Sequence, residues 1–157
     1  MNIFVLDRDP MVAARFHCDK HVPKMVLETA QMLCTARIEH GLDAPYKPAH
    51  RNHPCTKWVG QSLGNYMWTW CLGMGLGLEY EKRFGKTHKS HEVIKRCMKG
   101  SAHMGGPDMT PFAQAMPDEY KTDDAVDAYR NYYMGEKAYF ASWDRSETPH
   151  WWQLLTP

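Results

Sequence analysis

Residues 71–85, CLGMGLGLEYEKRFG, place Gly73, Gly75 and Gly77 at alternate positions inside a helical pattern. Each glycine weakens a helix by about 1 kcal/mol relative to alanine. Something must offset that loss, and close packing of neighbouring helices on two sides is the reading adopted. A phosphate loop is the other use of such glycines, but no GxGxxG or Walker pattern follows a strand here. The surrounding pattern is the longest in the chain. It opens at Asn52 or His53, with Pro54 behind, and runs to Gly85. Trp58, Val59, Leu63, Tyr66, Met67 and Trp70 form its apolar face.

The remaining segments also read as helices. NIFVL is a short extended start. Asp9 and Pro10 form an N-cap followed by proline at the first helical position, and a helix is expected from there to about His21. Pro23 lacks an N–H and should kink or restart the chain. A second helix covers KMVLETAQMLCTARIEHG, with Gly41 as its stop. Residues 42–54 carry three prolines and form a loop. KTHKSHEVIKRCMKG is a short basic helix ending at Gly100, and residues 101–121 are a long loop packed down by Phe112, Met116 and Tyr120. Thr122 caps a last long helix with two aspartates in its first turn. The aromatic tail DRSETPHWWQLLTP is expected to dock. One all-α domain over residues 1–157 follows.

Several classes are set aside by composition. Hydrophobic residues at 43% and charged residues at 24% match a globular chain rather than a disordered one. No apolar run approaches a membrane span, and the N-terminus is too short and acidic for a signal peptide. A cytoplasmic protein is expected. Five cysteines, at 18, 34, 55, 71 and 97, form no CxxC pair, which points to reduced thiols rather than structural zinc. The net charge of +1 hides an asymmetry. Residues 82–99, KRFGKTHKSHEVIKRCMK, hold seven basic residues and one acid. That is either a solvated helix face or a phosphate-binding patch.

Candidate chemistry concentrates in FHCDKHVPKMVLE, residues 16–28. His17 and His21 share a helix face, yet supply two metal ligands at most and lack the glutamate of HExxH. Glu28 stands seven residues after His21, on roughly the same side and in an apolar setting, which suits general acid/base work. Lys24 lies between them. HRNHPCTKW puts Arg51 and Lys57 with two histidines at a helix start, and GKTHKS places Lys86 and His88 at another. Either could hold phosphate. Tyr129, Arg130, Tyr132, Tyr133 and Lys137 mix rings and cations on one helix, as nucleotide sites do, although the rings could equally be core.

In order along the chain, CDKHVPKMVLE, LEYEKRFG, MPDEYKTDDA, GEK and PHWW resemble segments of the pyrimidine-dimer DNA glycosylase family, the small phage endonuclease V type. The chain also resembles a group of small phage proteins sharing HCDKH, NHPC, PFAQAMPDEY and YRNYY…EK, which implies a phage origin and a host-cell cytoplasm. The glycosylase resemblance implies a helical fold and a DNA partner. It also implies attack on the sugar C1′ by the N-terminal α-amine, a Schiff base, and glutamate-assisted β-elimination, with no cofactor or metal. An α-amine with a pKa of about 7.7–8.0 is partly a free nucleophile at neutral pH. The resemblance makes Glu28 the acid/base and has His21 and Lys137 hold phosphate or sugar oxygens. It places Trp151 and Trp152 near the extruded nucleotide. The chain departs from that family at Asn2, which is too large for usual methionine removal, so the amine would be that of Met1. It departs again at Leu27 and Thr29, which replace cations beside Glu28. These departures leave two other readings: an enzyme acting on free nucleotides or a host nucleotide signal, and a protein that sequesters such a ligand.

Overall fold

The computed structural model describes residues 1–153. Its elements are α1 (Pro10–Phe16), α2 (His21–Glu39), α3 (Pro54–Val59), α4 (Leu63–Phe84), α5 (Lys89–Arg96), α6 (Ala125–Glu136) and α7 (His150–Gln153). Two short 3₁₀ turns, Ser101–His103 and Asp118–Tyr120, interrupt the long loop. There is no strand among the described residues, and no helix is long and apolar enough to cross a membrane. Of the tail expected to dock, residues 154–157 lie outside the described residues.

The three glycines do what their spacing implies. A Cβ at Gly75 would lie 2.8 Å from the Ala14 methyl of α1. One at Gly73 would lie 3.0 Å from both Thr29 of α2 and Ile94 of α5, and one at Gly77 would strike the His91 ring. α4 is therefore the axis against which α1, α2 and α5 pack.

The basic helix α5 ends at Arg96, short of the expected Gly100, and four other sequence expectations need correction. The pattern from 54 to 85 is two helices, not one. The chain breaks at Gly60–Ser62, where extended Ser62 accepts the Asn65 amide and caps α4. Asn65 reaches back and donates to the Trp58 carbonyl released at the end of α3. The loop at 106–110 crosses this break, with Gly106 accepting the Leu63 amide at 2.7 Å and its backbone pressed on Gly64. α1 also ends earlier than expected, at Phe16. A helix continuing to His21 and into α2 would drive the Pro23 ring into the Asp19 carbonyl. α2 instead starts at His21, so Pro23 sits in the first turn, where no N–H partner is required. The fourth concerns α6, which is capped by Asp124, accepting from Val126 and Asp127, while Thr122 bonds to Asp124.

The α1–α2 turn is held from beneath by Arg83, whose side chain is fully buried. Its guanidinium donates to the His17 carbonyl at 2.6 Å and the Arg15 carbonyl at 2.8 Å, where α1 ends. Its other contacts are Glu79 at 2.9 Å and Asp19 at 3.3 Å. Residues 3–6 thread through the core and are all buried; the expected extended start is tightened by the Leu6 amide bonding to the Phe4 carbonyl at 2.9 Å, and the Leu6 carbonyl accepts from Arg130. Replacing Arg83 with methionine strands two carboxylates and two carbonyls, and should lower unfolding stability by about 3 kcal/mol. Urea denaturation of Arg83→Met against the parent measures this.

Candidate functional site

The site is built on the first two turns of α2 and on the chain end that meets them. Asn2 anchors that end. Its amide donates to the Ala115 carbonyl at 2.9 Å. Its oxygen accepts the Ile3 amide at 2.7 Å and the Cys55 thiol at 3.4 Å, and lies 3.2 Å from the Tyr129 hydroxyl oxygen. Asn2 thus ties α3 to the long loop. Held this way, the Met1 amine lies 3.0 Å from Glu28 Oε1. The Met1 side chain is 1% exposed, yet the residue as a whole is partly exposed, so its open surface is main-chain. Glu28 Oε2 is buried and takes no hydrogen bond. Lys24, one turn earlier, brings its ammonium to 3.8 Å from that oxygen.

His53 borders the pair. Its Nδ1 accepts the Cys55 amide as the cap of α3, which leaves the ring proton on Nε2. Burial lowers its pKa, the chain amine and His50 lower it further, and Glu28 opposes them. His50, which precedes it in the loop, has a positive φ of 49°.

His21 faces the aromatic side of the site. Its Nδ1 shares a 2.7 Å hydrogen bond with Tyr133, and its ring stacks on Phe4 at 4.7 Å. Burial, then the charges of His17, Lys137, Lys24 and Lys20, push its pKa down to about 3. His21 is therefore a neutral ring at pH 7. Among the described residues no hydrogen bond joins it to Glu28 or Met1. Lys137 stands over the Tyr132 ring at 5.1 Å and Lys20 over Phe140 at 4.8 Å.

Other expected contacts fall elsewhere. Tyr129 is fully buried and donates to the Ala113 carbonyl at 2.6 Å, so it fixes the loop beneath Asn2 and cannot meet a ligand. Arg130 is committed to the Leu6 carbonyl and Asp7, and it covers the Trp151 ring. Trp151 is 4% exposed among Phe16, Tyr133 and Trp152, which makes it core rather than a partner for an extruded base. His88 caps α5 through Nδ1 and donates from Nε2 to the Pro23 carbonyl, pinning α5 to the first turn of α2. Lys86 is exposed. Arg51 pairs with Glu39 at 2.8 Å. Arg51 and Lys57 line a separate concavity of about 270 Å³ with Thr35, Thr56 and Asn52. A wider depression of about 820 Å³ is bordered by Arg37, Lys95, Arg96 and Lys99. Neither contains Met1 or Glu28; the amine–carboxylate pair lies outside these hollows. Among the described residues no three His, Cys, Asp or Glu side chains converge as metal ligands, and all five cysteines are free thiols.

Asn2 and His53 are the contributors that sequence patterns missed in these roles. The only local signal for Asn2 was a polar residue inside an otherwise apolar start. Comparison with protein-family models, with curated proteins and with solved structures finds no match.

Two buried rings make the fold acid-sensitive. Burial holds His17 down to about 4 and His21 down to about 3, against about 6.5 in an unfolded chain. The unfolded chain therefore binds more protons as pH falls below 6.5. Stability is complete above that pH and is lost progressively down to the folded values. Between pH 7 and pH 5 each ring should cost about 2 kcal/mol. Urea midpoints at the two pH values check this, and His21→Gln should remove one ring's share.

Proposed function

We propose that the chain is a DNA N-glycosylase with lyase character, using the Met1 α-amine as nucleophile and Glu28 as acid/base. The reading rests on one observation: the amine lies 3.0 Å from the Glu28 carboxylate, within the reach a general base needs. An ammonium in that position is inert until it gives up a proton, and Oε1 is placed to take it. The free amine attacks C1′ of the nucleotide and the C1′–N bond breaks, so that the base leaves with its electron pair and a proton. Ring opening then yields an imine between Met1 and C1′. Protonated Glu28 supplies the proton to the sugar ring oxygen as it departs. Loss of a C2′ proton expels the 3′ phosphate, and water hydrolyses the imine to restore the amine. Lys24, beside Glu28 on the exposed side of α2, supplies positive charge where a phosphate would approach. The likeness to the pyrimidine-dimer glycosylase fold belongs to the same proposal.

Borohydride reduction with abasic and ultraviolet-irradiated duplexes tests it. Wild-type protein should give a covalent adduct whose mass places the bond on the Met1 amine. Glu28→Gln should reduce trapping by about 100-fold or more. A Gly-Ser extension before Met1 should abolish it. No adduct from wild-type protein on either duplex would defeat the proposal. The concavity lined by Arg51 and Lys57 favours the second reading, a free nucleotide or nucleotide signal as ligand, and altered nucleotide pools without any adduct would support that one.

A further inference from the structure

The turn after α6 carries Tyr139, whose ring is 86% exposed. A single exposed ring needs no explanation, but this one ends a continuous series. Tyr139 packs on Phe140 at 4.8 Å, and Phe140 packs on His21 at 5.2 Å. His21 stacks on Phe4, Phe4 lies parallel to Tyr132 at 6.3 Å, and Tyr132 meets Tyr120 at 5.6 Å. The inner members, Phe4 and His21, are buried, while Phe140, Tyr132 and Tyr120 are half-buried. Lys20 and Lys137 stand over this ribbon. Glu136 is engaged by the Tyr120 hydroxyl at 3.1 Å. The Phe140 and Ala141 amides both bond back to the Lys137 carbonyl, so the turn presents Tyr139 from a closed frame.

We infer that Tyr139, backed by Phe140, forms a stacking platform for an unstacked base of a nucleic-acid strand, with Lys20 and Lys137 holding its flanking phosphates. Flat rings bordered by cations match a ligand that alternates π faces with negative charge. Lys20 over Phe140 and Lys137 over Tyr132 border the rings at two places, so both are engaged by a base that carries a phosphate on each side, as in a polymer, and not by a mononucleotide. The inference rests on the site proposed above for the choice of nucleic acid as the ligand.

The test is fluorescence anisotropy with a fluorescein-labelled duplex carrying a tetrahydrofuran abasic analogue. Tyr139→Ala, a change at an exposed position, should weaken binding about tenfold, the effect of losing one base–aromatic stack. Tyr139→Phe should bind within about twofold of wild type. A Lys20→Gln, Lys137→Gln double variant should bind with a shallower salt dependence. Equal binding by Tyr139→Ala and wild type overturns the inference. So does a loss confined to anionic phosphatidylserine vesicles, which would make the surface a membrane contact. Borohydride trapping by wild type, read in parallel, keeps the two proposals apart. An adduct with no effect of Tyr139→Ala removes the platform and leaves the site. A tenfold effect with no adduct removes the lyase mechanism and leaves the platform.

Discussion

The buried guanidinium of Arg83 is the contact on which the working end of the fold depends. A helix that stops leaves carbonyls without partners, and α1 stops inside the core. Arg83 fills that need from α4 and brings its own neutralising carboxylates, Glu79 and Asp19. Because the same side chain touches both the end of α1 and Asp19, it sets where α2 begins. The position of His21, and of Lys24 and Glu28 one and two turns later, follows from that start. A charge buried at this cost is economical only because one planar group satisfies four acceptors at once.

The site couples three separate stretches of chain through small polar side chains. Asn2 is nearly saturated: its amide and carbonyl together engage backbone and thiol groups from elements far apart in sequence. A residue bonded on so many sides has one orientation, and the main chain before it inherits that orientation. The amine is thus aimed by hydrogen bonds one residue away, and no group has to grip it directly except Glu28. The Tyr129 hydroxyl fixes the loop beneath Asn2, donating to the Ala113 carbonyl and accepting the Ala115 amide.

Local features were legible in the sequence and distant ones were not. The glycines at 73, 75 and 77 announced their neighbours because helix spacing alone fixes which faces they occupy. Asp9–Pro10 marked the start of α1, and Gly85, with a φ of 72°, marked the end of α4. The break at Gly60–Ser62 escaped because the apolar pattern continues across it. Its causes are Asn65 reaching back to Trp58 and a loop from residues 106–110 crossing over Gly64. Tyr129 and Arg130 stayed open between ligand contact and core because rings mixed with cations look alike whether they face water or core, and Trp151 was placed at a ligand by resemblance alone. Glu28 stood out through its spacing from His21. Asn2 did not, since two of its partners lie 53 and 113 residues away.

The buried segment from Ile3 to Leu6 has a consequence for how the chain end behaves. Termini usually fray at almost no cost, independently of the body they belong to. Here Met1 and the half-buried Asn2 are followed by four buried side chains, one of them, Phe4, at the centre of the ring cluster. Peeling this segment away means drawing an apolar thread out of the interior. From Ile3 onward the chain is therefore governed by the same cooperative transition as its middle.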